Sequence, residues 1–141
     1  MKSLRTLLLL LTCLLCGLPV GAADADGLVV IAHPSVGRLD PSTVQRLYTG
    51  RAVEVAGTPV SVVNLATGHP LRDRFLTGLL GQDNDRYVAY WTVRRHVGKG
   101  VPPRDLRSSS EVIDFVQATP GGIGYIGTAD LRPGLNVVLR P

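Results

Sequence analysis

Residues 119–127 read TPGGIGYIG, and this stretch gives the clearest indication of the fold. Pro120, Gly121 and Gly122 predict a sharp end to the helix before them, because proline and glycine interrupt regular structure most strongly. Residues 123–127 then predict a short strand interrupted by glycine. The paired glycines could bring bare backbone close to a ligand, but a tight turn is the more common use of such residues.

Helix and strand signals continue on both sides of this stretch. Ser108 and Glu111 form a capping box that predicts the start of the preceding helix. Residues 136–139 predict a last strand after the TPGGIGYIG segment. The apolar face of the capped helix contains Val112, Phe115 and Val116.

The amino-terminal half repeats the alternation of strand and helix. Residues 28–32, LVVIA, form a continuous apolar run that predicts a buried strand, parallel to its neighbours and central in the sheet. Residues 40–41, Asp-Pro, predict the start of a helix. Ser42 and Gln45 offer a competing capping box for the same helix, and Gly50 closes it.

A hairpin and two further helices complete the predicted elements. Residues 52–55 and 60–64 predict a hairpin-like excursion followed by a strand. The next helix ends at Gly81, and Asp83 or Asn84 caps the one after it. This third helix carries Tyr87, Tyr90, Trp91 and Val97 as apolar residues. Arg94 and Arg95 are expected to form its solvated basic edge. The sequence therefore predicts a single small α/β domain with a mixed or parallel sheet flanked by helices.

The first residues have the composition of a secretory signal peptide. Lys2 and Arg5 precede an apolar run over residues 7–15, and small residues follow at 21–23. We expect a signal peptide over residues 1–22, a domain over residues 23–141 and a periplasmic location. Both cysteines, Cys13 and Cys16, lie in the leader, so the exported domain is expected to have no disulfide.

Composition excludes several classes of function. Without Lys2 and Arg5, the 15 basic residues fall to 13 against 11 acidic ones, a net charge near +2 that gives no reason to expect nucleic-acid binding. His33, His69 and His96 are scattered, and no two have metal-ligand spacing. No catalytic motif is present. We expect neither an enzyme nor a cofactor.

Four segments together resemble a known family. They are residues 47–51 (LYTGR), 57–60 (GTPV), 70–75 (PLRDRF) and 119–126 (TPGGIGYI). The chain resembles the substrate-binding proteins of phosphate ABC importers, and most closely the short, single-lobe members of that group. The resemblance implies a lobe of the type II periplasmic-binding-protein fold.

The phosphate-binding motif of the full-length members is not retained. The resemblance places Leu65 and Thr67 where their Arg and Asp would stand, and residues 69–71, His-Pro-Leu, where Ser-Gly-Thr would stand. None of the five positions matches. The family's phosphate ligands are therefore not carried over to this chain, because a shared fold does not by itself supply an activity.

A candidate anion site nevertheless follows from the residues. The turn that opens the second helix contains Thr67, Gly68 and His69, and Arg72 lies in its first turn. Amides at a helix amino terminus attract anions, although Pro70 removes one donor. Ser35 is added because ligands of open α/β sheets bind beyond the carboxyl ends of strands. An ordinary capped turn and a plain loop serine are the alternatives.

The predicted function is that of a periplasmic solute-binding-like protein that holds phosphate or another small oxyanion for an ABC importer. Its expected partners are the oxyanion and an ABC permease. The alternative is an interaction or sensor-accessory module that kept the fold and lost the solute, whose partner is a periplasmic sensor or membrane protein. An exposed apolar patch favours this alternative.

Overall fold

The computed structural model describes residues 27–141, so the predicted signal peptide lies outside the described residues. Among the described residues, no helix is long and apolar enough to cross a membrane. The strands are β1 (Leu28–Ala32), β2 (Glu54–Val55), β3 (Thr58–Pro59), β4 (Ser61–Leu65), β5 (Arg104–Leu106), β6 (Gly122–Gly127) and β7 (Asn136–Leu139). The helices are α1 (Pro41–Tyr48), α2 (Pro70–Phe75), α3 (Asn84–His96) and α4 (Ser109–Ala118).

Five strands form one mixed sheet in the order β5-β4-β6-β1-β7. Strand β4 is parallel to both β5 and β6. Strand β1 is buried, as predicted, but it is antiparallel to both β6 and β7, so the prediction of a parallel β1 is wrong. A continuous apolar run reports burial on both faces, which is common in parallel sheets, but here β1 is buried between two antiparallel neighbours.

Alternate residues of β6 place two helical layers on opposite faces of the sheet. Tyr125 stacks on Phe75 of α2, with ring centroids 4.0 Å apart, and Tyr48 of α1 packs 4.5 Å from the same Phe75 ring. On the other face, a Cβ at Gly124 would lie 2.5 Å from Val112 of α4. Glycine at 124 therefore lets α4 pack closely on the sheet.

The predicted helix starts agree with the observed caps. Asp40 accepts a hydrogen bond from the Thr43 amide, and Asp83, not Asn84, caps α3. Ser108 accepts from the Glu111 amide, as in the predicted box. The competing box at Ser42 and Gln45 is not used, because Asp40 caps α1 and Ser42 already lies inside the helix. Gln45 Nε2 donates instead to the Leu79 carbonyl.

Three features differ from the sequence prediction or were absent from it. The second helix continues from α2 as a π-helical turn, Leu76–Leu80, before Gly81 ends it in a left-handed conformation. Strand β5 was not predicted. Val97 was placed with the apolar residues of α3, but it follows the helix as its C-cap and is exposed.

The TPGG turn needs glycine for a steric reason. Gly121 has φ of +75°, and a Cβ there would lie 2.4 Å from the Pro59 carbonyl oxygen. Its amide donates to the Ser35 hydroxyl over 3.1 Å, and its carbonyl accepts from the Ser61 amide. The turn therefore ties the start of β4, the loop after β1 and the start of β6 together at one end of the sheet.

Candidate functional site

The sheet separates the predicted site residues into two groups. Because β1 is antiparallel to β6 and β4 is parallel to it, Ser35 lies near the amino ends of β4 and β6. Thr67, Gly68 and His69 follow the carboxyl end of β4. A five-residue strand spans roughly 16 Å. The structure thus brings Thr67, Gly68, His69 and Arg72 to one end and leaves Ser35 at the other, bonded to Gly121.

The backbone amides that begin α2 already have acceptors. The Leu71 amide donates to His69 Nδ1 over 3.2 Å. The Arg72 and Asp73 amides donate to the His69 carbonyl over 3.0 and 3.4 Å. Pro70 has no amide hydrogen. His69 is therefore the N-cap of α2, and the amides of residues 71–73 are not available to a ligand.

Arg72 is held in place by three acceptors. Nη1 donates to the Leu65 carbonyl over 2.8 Å and to Asp105 Oδ1 over 3.0 Å, and Nε donates to Asn84 Oδ1 over 2.9 Å. Its guanidinium carbon lies 5.5 Å from the centre of the Tyr87 ring. The residue is only 3% exposed. Such a guanidinium has one orientation, because the carboxyl end of β4 and the edge strand β5 fix it.

A buried polar cluster lies beneath Arg72. The Tyr125 hydroxyl accepts from the Leu65 amide and donates to Asn64 Oδ1. Burial raises the pKa of Tyr87 to about 12 and raises the pKa of Tyr125 further still. Both hydroxyls therefore stay protonated at neutral pH and act as neutral hydrogen-bonding groups.

A cavity of about 230 Å³ opens above this cluster. Arg72 and Tyr87 form its inner wall, while Thr67 and Arg95 lie on its outer side. The Arg95 guanidinium is exposed and makes no hydrogen bond or ion pair with the described residues. Asp105, with a side chain 49% exposed, is its one acidic lining residue. Val88, Trp91, Thr92 and Pro102 complete the lining.

Sequence reasoning did not assign Arg95 and Asp105 to a site. One face of α3 supplies five lining residues at spacings of three or four, which are Tyr87, Val88, Trp91, Thr92 and Arg95. That spacing was a usable signal. Asp105 carried none, because β5 is too short to be recognised. Within residues 27–141, no group of three or more His, Cys, Asp or Glu side chains could hold a metal ion.

Solved structures share the fold of this chain. An ABC-type phosphate transport receptor from Vibrio cholerae superposes with a TM-score of 0.61 at 16% sequence identity, over 80% of this chain and 45% of the receptor. The chain has the fold of part of a phosphate transport receptor. This confirms the α/β fold expected from the resemblance.

Two further receptor structures give the same result. A phosphate ABC transporter substrate-binding protein with bound phosphate, from Clostridium perfringens, matches with a TM-score of 0.59 at 22% identity, covering 80% of this chain and 44% of that one. PstS from Borrelia burgdorferi matches with a TM-score of 0.59 at 18% identity, covering 80% and 46%. This chain thus spans less than half the length of these receptors. No family model and no curated protein matches its sequence.

Proposed function

We propose that this chain is a periplasmic solute-binding-like protein and that its 230 Å³ cavity holds a small oxyanion such as phosphate for an ABC importer. The observation that carries the proposal is the guanidinium of Arg72. Its hydrogen bonds use Nε and Nη1, and Nη2 donates to none of the described residues. A fixed arginine with two free N–H groups at a cavity wall is well suited to an oxyanion.

The second charge comes from Arg95 on the opposite, exposed side. Its guanidinium can move toward a bound anion, whereas that of Arg72 is already in place. Thr67 adds a hydroxyl at the carboxyl end of β4. An anion in the cavity would therefore meet one preorganised cation and one mobile cation.

Asp105 makes the proposed site selective. The Asp105 carboxylate is a hydrogen-bond acceptor beside the anion, so a ligand that carries a proton can donate to it. A fully ionised ligand cannot donate and is repelled by this carboxylate. Monohydrogen phosphate has such a proton at neutral pH, and sulfate does not. We therefore expect phosphate to bind more tightly than sulfate.

Isothermal titration of the described domain with phosphate and sulfate tests this proposal. We expect heat with phosphate, weaker heat with sulfate, and a loss of about tenfold in phosphate affinity in Arg95→Gln, because one charge-assisted contact is removed. Arg86→Gln is the matched control, since Arg86 is also exposed on α3 but lies outside the cavity. Absence of heat at millimolar phosphate, or equal affinities of the two variants, would refute the proposal.

A second candidate function, the interaction or sensor-accessory module, is favoured by an apolar groove. Val53 and Val101 are 71% and 70% exposed and lie on a groove of about 400 Å³ near the amino ends of β4 and β5. A photo-crosslinking residue at position 101, compared with one at the exposed Arg107 in intact cells, tests this function. A crosslinked partner specific to position 101 is expected if the groove binds a membrane protein or sensor.

Export is the third part of the proposal. Mass spectrometry of the protein recovered from the periplasmic fraction is expected to give a chain that begins at Ala23, after cleavage behind Ala22. A product that retains Met1 in the cytoplasmic fraction would contradict a periplasmic function.

A further inference from the structure

We infer that a second cavity, between α1 and α3, binds a small hydroxylated dicarboxylate. This cavity measures about 410 Å³ and lies on the helical layer, apart from the residues that line the proposed oxyanion site. Its polar lining includes Gln45, Arg46, Thr49, Arg51, Gln82 and Tyr90. None of its lining residues is acidic, whereas Asp105 lines the other cavity.

Two arginines on this cavity carry unneutralised charge. Arg46 and Arg51 are exposed, and neither guanidinium makes a hydrogen bond or ion pair with the described residues. Their backbones are tied together, since the Arg51 amide donates to the Arg46 carbonyl over 2.8 Å. Gly50, with φ of +68°, allows the chain to turn back at this point. The turn therefore holds two cations at one rim, which suits a ligand with two carboxylates.

Three other polar side chains of the lining already bond within the protein. Gln45 Nε2 donates to the Leu79 carbonyl over 2.6 Å. The Thr49 hydroxyl donates to the Gln45 carbonyl, and the Tyr90 hydroxyl donates to the Thr49 carbonyl, each over 2.7 Å. These bonds make a rigid polar wall, and they leave the two arginines as the charged donors that an anion in this cavity would meet.

Gln82 adds a requirement for a hydrogen-bond donor on the ligand. Its Oε1 atom is buried and has no hydrogen-bond partner in the structure. A buried acceptor without a partner is costly. Gln82 as a residue is only half-buried and lines the cavity, so we expect its side chain to turn and Oε1 to accept from a ligand hydroxyl there. Two carboxylates for Arg46 and Arg51, together with one hydroxyl for Gln82, define a hydroxy-dicarboxylate.

Malate and succinate are suitable probes, because both are four-carbon dicarboxylates and only malate has a hydroxyl. Calorimetric titration of the domain is expected to give a malate affinity about fivefold higher than that for succinate, which is the effect of one hydrogen bond. Gln82→Ala should erase this difference. Arg46→Gln and Arg51→Gln should each weaken malate binding about tenfold.

Two control variants separate this inference from the proposed oxyanion site. Arg86→Gln lies on neither cavity and should leave malate binding unchanged, and so should Arg95→Gln, which is expected to weaken phosphate binding. Absence of malate binding at millimolar concentration, equal affinity for malate and succinate, or full binding in Arg51→Gln would overturn the inference. Each of these results leaves the phosphate titration to be judged by itself.

Discussion

Two arginines on the wall of one cavity have opposite surroundings. Arg72 is 3% exposed and donates to Leu65, Asn84 and Asp105, whereas the guanidinium of Arg95 is exposed and bonds to none of the described residues. The same residue type therefore serves as part of the folded framework at one position and as a mobile charge at the other. The difference is that β4, β5 and α3 supply hydrogen-bond acceptors to the Arg72 guanidinium and supply none to that of Arg95.

The largest expected effect on stability comes from removing Arg72, the buried arginine of the pair. Arg72→Ala should lower the free energy of unfolding by about 3 kcal/mol, because the buried Leu65 carbonyl and the Asn84 side chain lose their donor. Arg95→Gln should change it by less than about 0.5 kcal/mol. Urea denaturation followed by Trp91 fluorescence measures both. Equal losses in the two variants would show that Arg72 is not a framework residue.

A smaller effect is expected in the polar cluster beneath Arg72. Tyr125→Phe removes the hydroxyl that accepts from the Leu65 amide and donates to Asn64, and we expect a loss of about 2 kcal/mol in unfolding free energy. Tyr90→Phe is the control, since Tyr90 is half-buried and makes one hydrogen bond, to the Thr49 carbonyl. A loss in Tyr125→Phe no larger than in Tyr90→Phe would contradict the importance of the cluster.

The smallest expected effect on stability is the pH dependence that the buried tyrosines cause, which begins only at alkaline pH. Burial raises the pKa of Tyr48 and Tyr125, and it raises that of Tyr87 to about 12. Above pH 10 the unfolded chain therefore binds fewer protons than the folded one, so these tyrosines leave stability unchanged below pH 10 and lower it as the pH rises further. Absorbance at 295 nm should show these three tyrosines ionising together with unfolding. Their ionisation in the folded state near pH 10 would contradict the burial.

Local signals explain which parts of the fold could be predicted. Asp40, Asp83 and Ser108 cap helices because their side chains bond to amides three residues ahead, a contact that sequence spacing encodes. Strand β5 could not be found, since its three residues are partly polar and are ordered by pairing with β4. The antiparallel direction of β1 depends on partners nearly a hundred residues away in the chain.

The candidate site was predicted in part for the same reason. Thr67 and Arg72 lie in the turn and helix that the sequence singles out, and both line the cavity. Asp105 reaches Arg72 from 33 residues away, a contact that only the fold creates. Ser35 follows a strand end, as the prediction required, but the antiparallel direction of β1 puts it at the other end of the sheet. The positions of Asp105 and Ser35 therefore depend on pairing between distant strands, which local sequence patterns do not encode.

The most direct measurement of the central claim is a crystal structure of the domain with arsenate, a phosphate analogue whose arsenic scatters anomalously. The account predicts an anomalous peak in the cavity lined by Thr67, Arg72 and Arg95, within hydrogen-bond distance of Arg72 Nη2. The peak should weaken or vanish in Arg95→Gln crystals. An empty cavity at millimolar arsenate, or a peak only at another surface, would contradict the claim that this end of the sheet holds an oxyanion.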